Sequence, residues 1–245
     1  MKNIAAIILA AGKGSRMKAL NHNKVVLKLA NKQMIVHTVD LLDKLKIKQK
    51  IVVVGFAKES VMKVLGNRVT YAVQQKRLGT AHAVRCALKK IKKAIIDVLI
   101  LQGDDSALYK EQIIRKIIDL HLFSKADFTF LTIDVDNPLG LGRIIRDKND
   151  KLISVIEEKD ATDEEKKIKE INPACYLISV KFLKKYLRKI KKSPVTGEYY
   201  LTSLIDMAIK NNEKIETVRG GKILWRGVNT PEELKEAEKL FLNIK

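Results

Sequence analysis

A glycine-containing loop near the N-terminus combines the features of an anion-binding segment. Residues 9–17 read LAAGKGSRM and end a short apolar run. Small residues let backbone N–H groups approach a phosphate chain, and Lys13, Arg16 and Lys18 add matching positive charge. The spacing is not that of a P-loop, and Met17 stands where a dinucleotide fingerprint has Gly or Ala. An ordinary strand-to-helix turn is the alternative, but Arg16 and the apolar run favour phosphate binding.

Two later apolar runs end in residues that could contact the same ligand. Gln74 ends the third apolar run of the chain, and Gly103-Asp104 follows the fourth. In open α/β sheets, ligands bind beyond the carboxyl ends of the strands. The topology therefore predicts that both tips meet the loop at residues 9–17. Asp104 could instead cap a helix, a role that is equally open to Asp105.

Hydrophobic periodicity predicts the elements that must position these tips. Buried strands are expected at residues 4–9, 51–55, 69–74, 98–101 and 128–133. Helices are expected at residues 33–45, near 58–65, and at 80–91 and 110–122. This alternation of strands and helices predicts an α/β fold with a doubly wound, mostly parallel sheet.

After residue 139 the rhythm of the sequence changes. The elements expected there are a hairpin from 143–146 and 151–156, a strand near 174–180, helices near 182–190 and 201–210, a strand pair around 215–225 and a helix from 231. This half predicts an α+β lobe packed against the first. No linker rich in Pro, Gly or Ser and no internal repeat separates the two, so one domain over residues 1–245 is expected.

The composition excludes a disordered chain and does not require a nucleic-acid partner. Hydrophobic residues make up 46% of the 245 residues, and the net charge is +20. The lysines are spread among Asp and Glu, with no RNA-module signature, Cys/His finger or long basic tail. We interpret the charge first as solvated surface and second as a field that attracts anionic substrates. Nucleic-acid binding is the least favoured interpretation.

Cysteine spacing and hydropathy predict a cytoplasmic protein without a membrane partner. Cys86 and Cys175 are far apart and form no CxxC pair, which favours reduced thiols. The apolar run at residues 4–11 is similar to a short signal peptide, but the basic, glycine-rich segment after it is a poor cleavage region. No other run is long enough to cross a bilayer. None of these patterns predicts an oligomeric state.

The first loop resembles the L-x-x-G-x-G-[TS]-R-M signature of the sugar-nucleotide pyrophosphorylases. Within that family, the chain is most similar to the uridylyltransferase domain of the bacterial bifunctional enzymes that make UDP-N-acetylglucosamine. The similarity continues in order through KVV at 24–26, Gln74 with LGTAHA at 78–83, GD at 103–104, GRI at 142–144, EEKDA at 157–161, Asn172, GEYYLT at 197–202 and GVN at 227–229. No hexapeptide repeat follows, so the acetyltransferase domain of those enzymes is expected to be absent.

The resemblance implies a Rossmann-like nucleotidyltransferase that makes UDP-N-acetylglucosamine and pyrophosphate from UTP and N-acetylglucosamine 1-phosphate. It divides the chain into a nucleotide-binding lobe at about 1–138, a sugar-phosphate lobe at about 139–228, and a segment at 229–245 with the C-terminal helix. It also implies that Asp104 and Asn229 hold a catalytic Mg²⁺, an ion that takes only one or two protein oxygens beside phosphates and waters. Taken alone, Asn229 would be interpreted as a turn or capping residue.

The resemblance also gives roles to the other motif residues. Gln74, Gly79 and Thr80 are expected to read uracil, since an amide can donate to and accept from one base edge. Thr80 is also expected to cap its helix, and His82 to be structural. The remaining residues expected at the site are Arg16 and Lys24 for the phosphates, Leu9, Ala10, Ala11, Gly12, Gly14 and Gly103 for the nucleotide, and Gly142, Glu157 and Asn172 for the sugar.

The chain departs from the family pattern at several positions, mostly on the sugar side. The differences are Pro173-Ala174 for Thr/Ser-Gly, Gln102 for Tyr, Asn23 for Pro and Ser203 for Asp. They bear on the identity of the sugar more than on the type of reaction.

The implied reaction is an in-line displacement at the α-phosphorus of UTP by an oxygen of the sugar phosphate. A phosphate monoester with a second pKa of ~6 is mostly dianionic at neutral pH, so no general base is needed. Catalysis then rests on positioning and on charge neutralisation by Mg²⁺, Arg16 and Lys24. Two alternatives stay open. One is the same chemistry with another sugar 1-phosphate or with thymidine, and the other is a catalytically silent nucleotide- or RNA-binding protein on this fold.

Overall fold

A computed structural model describes residues 2–17, 21–223 and 225–242 of the chain. The strands are β1 (Ile4–Ala10), β2 (Lys28–Leu29), β3 (Lys32–Gln33), β4 (Gln49–Val54), β5 (Thr70–Val73), β6 (Asp97–Gln102), β7 (Phe128–Asp134), β8 (Gly142–Arg146), β9 (Leu152–Ile156), β10 (Glu170–Asn172), β11 (Tyr176–Ser179) and β12 (Ile215–Arg219). The helices are α1 (Met34–Lys44), α2 (Lys58–Leu65), α3 (Thr80–Leu88), α4 (Glu111–Ser124), α5 (Asp163–Lys166), α6 (Val180–Tyr186), α7 (Ser203–Lys210) and α8 (Pro231–Leu242). None of these described helices is long and apolar enough to cross a membrane.

One mixed sheet of ten strands organises the fold. Its order is β5-β4-β1-β6-β11-β7-β10-β8-β9, with β12 paired to β7. Strands β5, β4, β1 and β6 are parallel neighbours. Strand β11 runs antiparallel between β6 and β7, and β12 pairs with β7 in parallel. The predicted doubly wound, mostly parallel α/β sheet is confirmed, with an antiparallel extension in the second half.

Strand β1 lies at the centre of the core, and all of its residues are buried. Successive residues of a strand point to opposite faces of the sheet. Ala6 and Ile8 therefore pack in the layer of α1, α2 and α4, whereas Ile7 and Leu9 pack in the layer of α3, α6 and α7. Because both faces are covered by helices, the strand is continuously apolar rather than alternating.

The second half follows the prediction in part. The hairpin is confirmed as β8 and β9. The strand expected near 174–180 ends earlier, because Ser179 caps α6 by accepting from the N–H of Phe182 at 3.1 Å. The strand pair expected around 215–225 is wrong among the described residues: only β12 forms, and the chain turns at Gly220-Gly221, with φ +59° at Gly221. Four short elements were not predicted from the sequence: β2, β3, β10 and α5. Each has only two to four residues, which is too short to show a hydrophobic period.

Candidate active site

A cleft of about 510 Å³ lies at the carboxyl ends of β1, β5 and β6. These strands run in the same direction, so their tips end at one edge of the sheet. Gly103 lies behind the cleft, where a Cβ would be 3.1 Å from the carbonyl oxygen of Leu9. Ten of the predicted residues line it: Leu9, Ala10, Ala11, Gly12, Gly14, Lys24, Gln74, Gly79, Thr80 and Asp104.

The side-chain amide of Gln74 is fixed by two neighbours. Gln74 is 5% exposed, and its Nε2 donates to the carbonyl oxygen of Gly79 at 3.0 Å. The same nitrogen lies 3.0 Å from Nδ1 of His82, which must accept because an amide nitrogen only donates. Burial and the charge of Arg85 lower the pKa of His82, which favours the neutral ring that this contact needs.

Both amide hydrogens of Gln74 are therefore used inside the protein. Its Oε1 is the remaining hydrogen-bonding atom, and no described residue donates to it. This arrangement differs from the expectation that the amide both donates to and accepts from a base. Gln74 is oriented to accept, and His82 is one of the two groups that hold it so.

Gly79 and Thr80 connect the cleft to the segment around Tyr199. The φ of Gly79 is +97°, and a Cβ there would lie 2.5 Å from the carbonyl oxygen of Tyr199, so only glycine fits. The prediction that Thr80 caps α3 is wrong, because Gly79 holds the cap position. The hydroxyl of Thr80 instead accepts from the N–H of Leu201 at 2.9 Å, across 121 positions of sequence.

The two predicted metal ligands meet around the side chain of Lys24. Its ammonium donates to Oδ1 of Asn229 at 2.9 Å and to the carbonyl oxygen of Val228 at 3.1 Å, and it forms an ion pair with Asp104. Asn229 is held in turn by its N–H, which donates to Glu233 at 2.6 Å. A carboxylate and an amide oxygen thus converge on one cation, which is the donor chemistry that suits Mg²⁺.

Asp105 is buried beside this cluster. It occupies the cap position of the short 3₁₀ turn Ser106–Leu108, but its side chain makes no capping hydrogen bond, so the capping role considered for it is not what the structure shows. No described group bonds its Oδ1. Burial, and then the negative charge of Asp104, hold the pKa of Asp105 well above its usual range. A raised pKa of Asp105 disfavours a second negative charge beside Asp104.

The three residues predicted to bind the sugar meet on the second half of the sheet, outside the lining of the cleft. Gly142 of β8 and Asn172 of β10 are register partners. A Cβ on Gly142 would lie 3.7 Å from Oε2 of Glu157, so the carboxyl faces this pair. Glu157 accepts from the hydroxyl of Thr202 at 2.8 Å, and burial raises its pKa.

The side chain of Asn172 is bonded at both ends. Its Nδ2 donates to the hydroxyl of Tyr176 at 2.7 Å, and its Oδ1 accepts from the N–H of Ala174 at 3.0 Å. Ala174 has φ +57°, the left-handed region in which glycine is favoured. The substitution of Ala for the family's glycine therefore keeps a glycine-like backbone, which is closed by the Asn172 side chain.

The cations of the first loop are not equivalent. Lys13 lines the cleft. Arg16 is exposed in the 3₁₀ turn Ser15–Met17 and is not among the lining residues, so the structure does not bring it to the Lys24 cluster. Lys18 lies outside the described residues.

Several residues that line the cleft were not among the predicted site residues. Arg77 stands directly before the LGT motif, and Asn23 directly before Lys24. Their adjacency to motifs was the available signal, and the departure of Asn23 from the family pattern pointed away from a role. The full set is Asn23, Val25, Arg77, Ala83, Gln102 and Glu198.

The parallel strands of the first half and the cleft at their carboxyl ends are the arrangement in which open α/β proteins bind ligands. A family model described as nucleotidyl transferase matches residues 5–243. The chain therefore belongs to the nucleotidyl transferase family, and the predicted class of enzyme, a nucleotidyltransferase, is confirmed.

Individual relatives bear the name Bifunctional protein GlmU. The chain is 42% identical over 241 residues to the one from Thermoanaerobacter pseudethanolicus and 39% identical over 241 residues to the one from Caldanaerobacter subterraneus. It is 37% identical over 240 residues to the one from Clostridioides difficile. Each alignment covers 98% of this chain and 52% of the relative, so the chain spans about half the length of the curated relatives it matches. The predicted resemblance to one domain of the bifunctional enzymes is confirmed.

A solved structure shows the same fold at lower sequence identity. It is the 2.76 Å crystal structure of a proposed glucose-1-phosphate thymidylyltransferase from Bacillus anthracis, in complex with sucrose. The TM-score is 0.84 at 24% identity, covering 99% of this chain and 96% of the other. At this level of identity the likeness concerns the fold alone, and it supports the α/β fold predicted from the sequence.

Proposed function

We propose that this chain joins UTP to N-acetylglucosamine 1-phosphate and releases pyrophosphate, in the cytoplasm. The observation that carries the proposal is the meeting of three groups at one edge of the sheet. These are the oriented Gln74 amide, the glycine-containing first loop, and the cluster of Lys24, Asp104 and Asn229. A nucleoside triphosphate fits these three groups: Gln74 would contact the base, and the loop and the charged cluster would contact the phosphates.

The orientation of Gln74 supports a uracil or thymine base. Both present an N–H at ring position 3, which an acceptor such as Oε1 can bind, whereas cytosine presents an acceptor there. An acceptor facing an acceptor leaves both unsatisfied in a buried site, which is costly. Thymidine triphosphate is the second candidate, because thymine has the same N3–H edge as uracil.

The acidic and amide oxygens of the cluster fit a magnesium ion. Asp104 and Asn229 would hold it, and a bound Mg²⁺ would neutralise charge on the triphosphate. Their convergence on the Lys24 ammonium supports this assignment, because the two oxygens already face one positive centre. A bound Mg²⁺ would displace that ammonium, and Lys24 would then supply a second positive charge to the same phosphates.

The chain itself positions the reacting groups. A phosphate oxygen of the sugar 1-phosphate attacks the α-phosphorus of UTP, forming one P–O bond while the bond to the β-phosphate oxygen breaks and pyrophosphate leaves. The attacking phosphate is already dianionic at neutral pH, so the site needs no proton acceptor. The loop N–H groups and Lys24 stabilise the charge, and Arg16, exposed at the loop, is proposed to meet the incoming sugar phosphate.

The sugar assignment rests on Gly142, Glu157 and Asn172. Glu157 offers a partly buried carboxyl and Asn172 a buried amide, which can bond hydroxyl and acetamido groups when their internal partners exchange. The motif resemblance supports N-acetylglucosamine. Another sugar 1-phosphate is the alternative that the Pro173-Ala174 pair favours.

The test is direct product identification. The full chain is incubated with Mg²⁺, one nucleotide from UTP, dTTP and CTP, and either N-acetylglucosamine 1-phosphate or glucose 1-phosphate, with pyrophosphate release and product mass as readouts. We expect turnover with UTP and N-acetylglucosamine 1-phosphate and little with CTP. Salt-sensitive binding of RNA with no turnover for any pair would replace the enzyme by a silent binding protein.

A further inference from the structure

Asn23 is a buried amide in the wall of the cleft, where it joins separate segments of the chain. It is 1% exposed and directly precedes Lys24. Its Nδ2 lies 2.9 Å from the carbonyl oxygen of Ala10, 3.1 Å from that of Gly12 and 3.0 Å from that of Phe56. Two amide hydrogens thus serve three carbonyl oxygens in a place that solvent does not reach.

Two more hydrogen bonds extend the reach of Asn23. Its backbone N–H donates to the hydroxyl of Ser60 in α2 at 3.0 Å. Its Oδ1 accepts from the N–H of Val25 at 3.2 Å and so caps the 3₁₀ turn Lys24–Val26. One side chain therefore ties together the end of β1, the segment after β4 and the turn that carries Lys24.

The direction of the loop carbonyls decides where the loop N–H groups point. In a planar trans peptide, the C=O of one residue and the N–H of the next point to opposite sides. The carbonyls of Ala10 and Gly12 point at Asn23, so the N–H groups of Ala11 and Lys13 point away from it. Ala11 and Lys13 both line the cleft. Backbone N–H groups directed in this way form a concave site for an anion.

The turn that Asn23 caps also positions the Lys24 side chain, which is the second part of the same anion site. The Lys24 side chain runs along Gly14, where a Cβ would be 3.1 Å from Lys24 Cβ. Its ammonium then reaches the cluster with Asp104 and Asn229. A shift of the turn would move this charge relative to the loop.

We infer that Asn23 is the positioning residue of the triphosphate site. It acts through the Ala11 and Lys13 N–H groups and through the Lys24 ammonium, and not as a base reader or a catalytic group. The inference rests on the proposed function, which supplies a triphosphate as the ligand. Proline, the residue usual in the family at this position, could make none of the donor contacts.

The experiment compares two ligands that share a base and differ in phosphates. UTP and uridine are titrated onto the full chain in Mg²⁺, by calorimetry for the first and by ligand-observed NMR for the weaker second. For Asn23→Ala we expect the preference for UTP over uridine to fall about tenfold, with uridine affinity unchanged, because one or two phosphate hydrogen bonds lose their geometry. A purely structural role would weaken both ligands together.

A matched control separates positioning from loss of stability. Thr129 is fully buried in β7 and bonds Nδ1 of His121 at 2.9 Å, away from the cleft. Thr129→Val should destabilise the fold yet leave the UTP-to-uridine preference at the wild-type value. If Asn23→Ala does not fold, Asn23→Ser keeps one hydroxyl donor and should lower the preference about threefold.

The outcomes are distinct. A folded Asn23→Ala or Asn23→Ser protein with the wild-type preference overturns the role of Asn23 and leaves the proposed function standing. A wild-type protein with no preference for UTP over uridine overturns both. A wild-type preference that the variants lose, in a protein that turns over no sugar phosphate, supports Asn23 and overturns the proposed reaction.

Discussion

At the nucleotide edge, Gln74 presents an acceptor that no described residue uses, whereas on the sugar side Glu157 and Asn172 already bond Thr202, Tyr176 and Ala174. The first region is oriented for a ligand before any ligand arrives. The second is closed on itself, and a sugar would have to exchange internal hydrogen bonds for its own. Preorganised groups lose less entropy on binding, so base and phosphate contacts should contribute more specificity than sugar contacts.

The same contrast holds for charge. Positive and negative groups of the nucleotide edge meet in one cluster around Lys24, where burial and the charge of Asp104 raise the pKa of Asp105. On the sugar side, the carboxyl of Glu157 is partly buried, has a raised pKa and accepts from the hydroxyl of Thr202. Changes at the nucleotide edge should therefore alter the reaction, and changes at the sugar side should alter selectivity and stability.

Removing the carboxylate of Asp104 should have the largest effect. We expect Asp104→Ala to lower kcat at least about a hundredfold, because charge stabilisation by a bound cation is worth several kcal/mol and each ~1.4 kcal/mol is a factor of ten. Pyrophosphate release measures it. Asp136→Ala, at an exposed carboxylate paired with Lys222, is the control and should keep wild-type turnover. Turnover of Asp104→Ala within about tenfold of wild type would remove Asp104 from the proposed metal site.

Replacing the base reader should come second. Gln74→Leu removes the Oε1 acceptor at similar volume, and we expect kcat/KM for UTP to fall roughly tenfold to a hundredfold while the preference for UTP over CTP narrows. Gln75→Leu changes the exposed neighbour, which is not part of the cleft lining, and should change neither value. An unchanged UTP-to-CTP ratio in Gln74→Leu would show that another group reads the base.

Neutralising Glu157 should act on the sugar alone. We expect Glu157→Gln to raise KM for the sugar phosphate by about tenfold and to leave KM for UTP unchanged, because one charge-assisted hydrogen bond is weakened. Initial rates at varied concentrations of each substrate measure the two constants. Glu164→Gln, at an exposed carboxylate, is the control. Equal effects on KM for the sugar phosphate and KM for UTP would contradict the separation of the nucleotide edge from the sugar side.

The same variant should change the pH dependence of stability. Burial raises the pKa of Glu157 above its ordinary 4.5, so the folded protein holds this proton more tightly than the unfolded chain does. Stability of the wild type then falls as pH rises from the ordinary pKa to the raised one. Glu157→Gln lacks this proton, so Tm of the variant minus Tm of the wild type should increase across that window and stay constant above it. Thermal unfolding between about pH 4 and pH 8 measures the difference, and a decrease with rising pH would contradict the burial argument.

The smallest effect is expected at Ala174. Its φ of +57° costs an alanine about 1 kcal/mol relative to glycine, partly offset by the greater entropy of glycine in the unfolded chain. Ala174→Gly should therefore raise Tm by roughly 1–3 °C for a chain of this size. Ala94→Gly, at an exposed residue outside the left-handed region, should leave Tm unchanged or lower it. A fall in Tm for Ala174→Gly would mean that packing of the Ala174 methyl group stabilises the fold by more than the backbone strain destabilises it.

Residues close in sequence to a strand end could be predicted well. The first loop, Gln74 and Asp104 lie at one edge because parallel strands share the direction of their carboxyl ends. Contacts between residues far apart in sequence could not be predicted. Thr80 bonds Leu201 rather than capping its helix, and Lys24 reaches Asn229 across 205 positions. A local pattern carries no information about a partner that only folding brings near.

The sequence by itself determined the parallel sheet, the position of the loop at its edge and the family, because apolar periodicity and ordered motifs are local properties of the chain. Only the tertiary structure decided which atoms of those residues remain available to bind a ligand. It turned the Gln74 amide by means of His82 and Gly79, closed Asn172 on Tyr176, and placed Asn23 where its amide directs the loop carbonyls. The reason is that a buried polar group must find a partner, and which partner it finds depends on packing between distant segments.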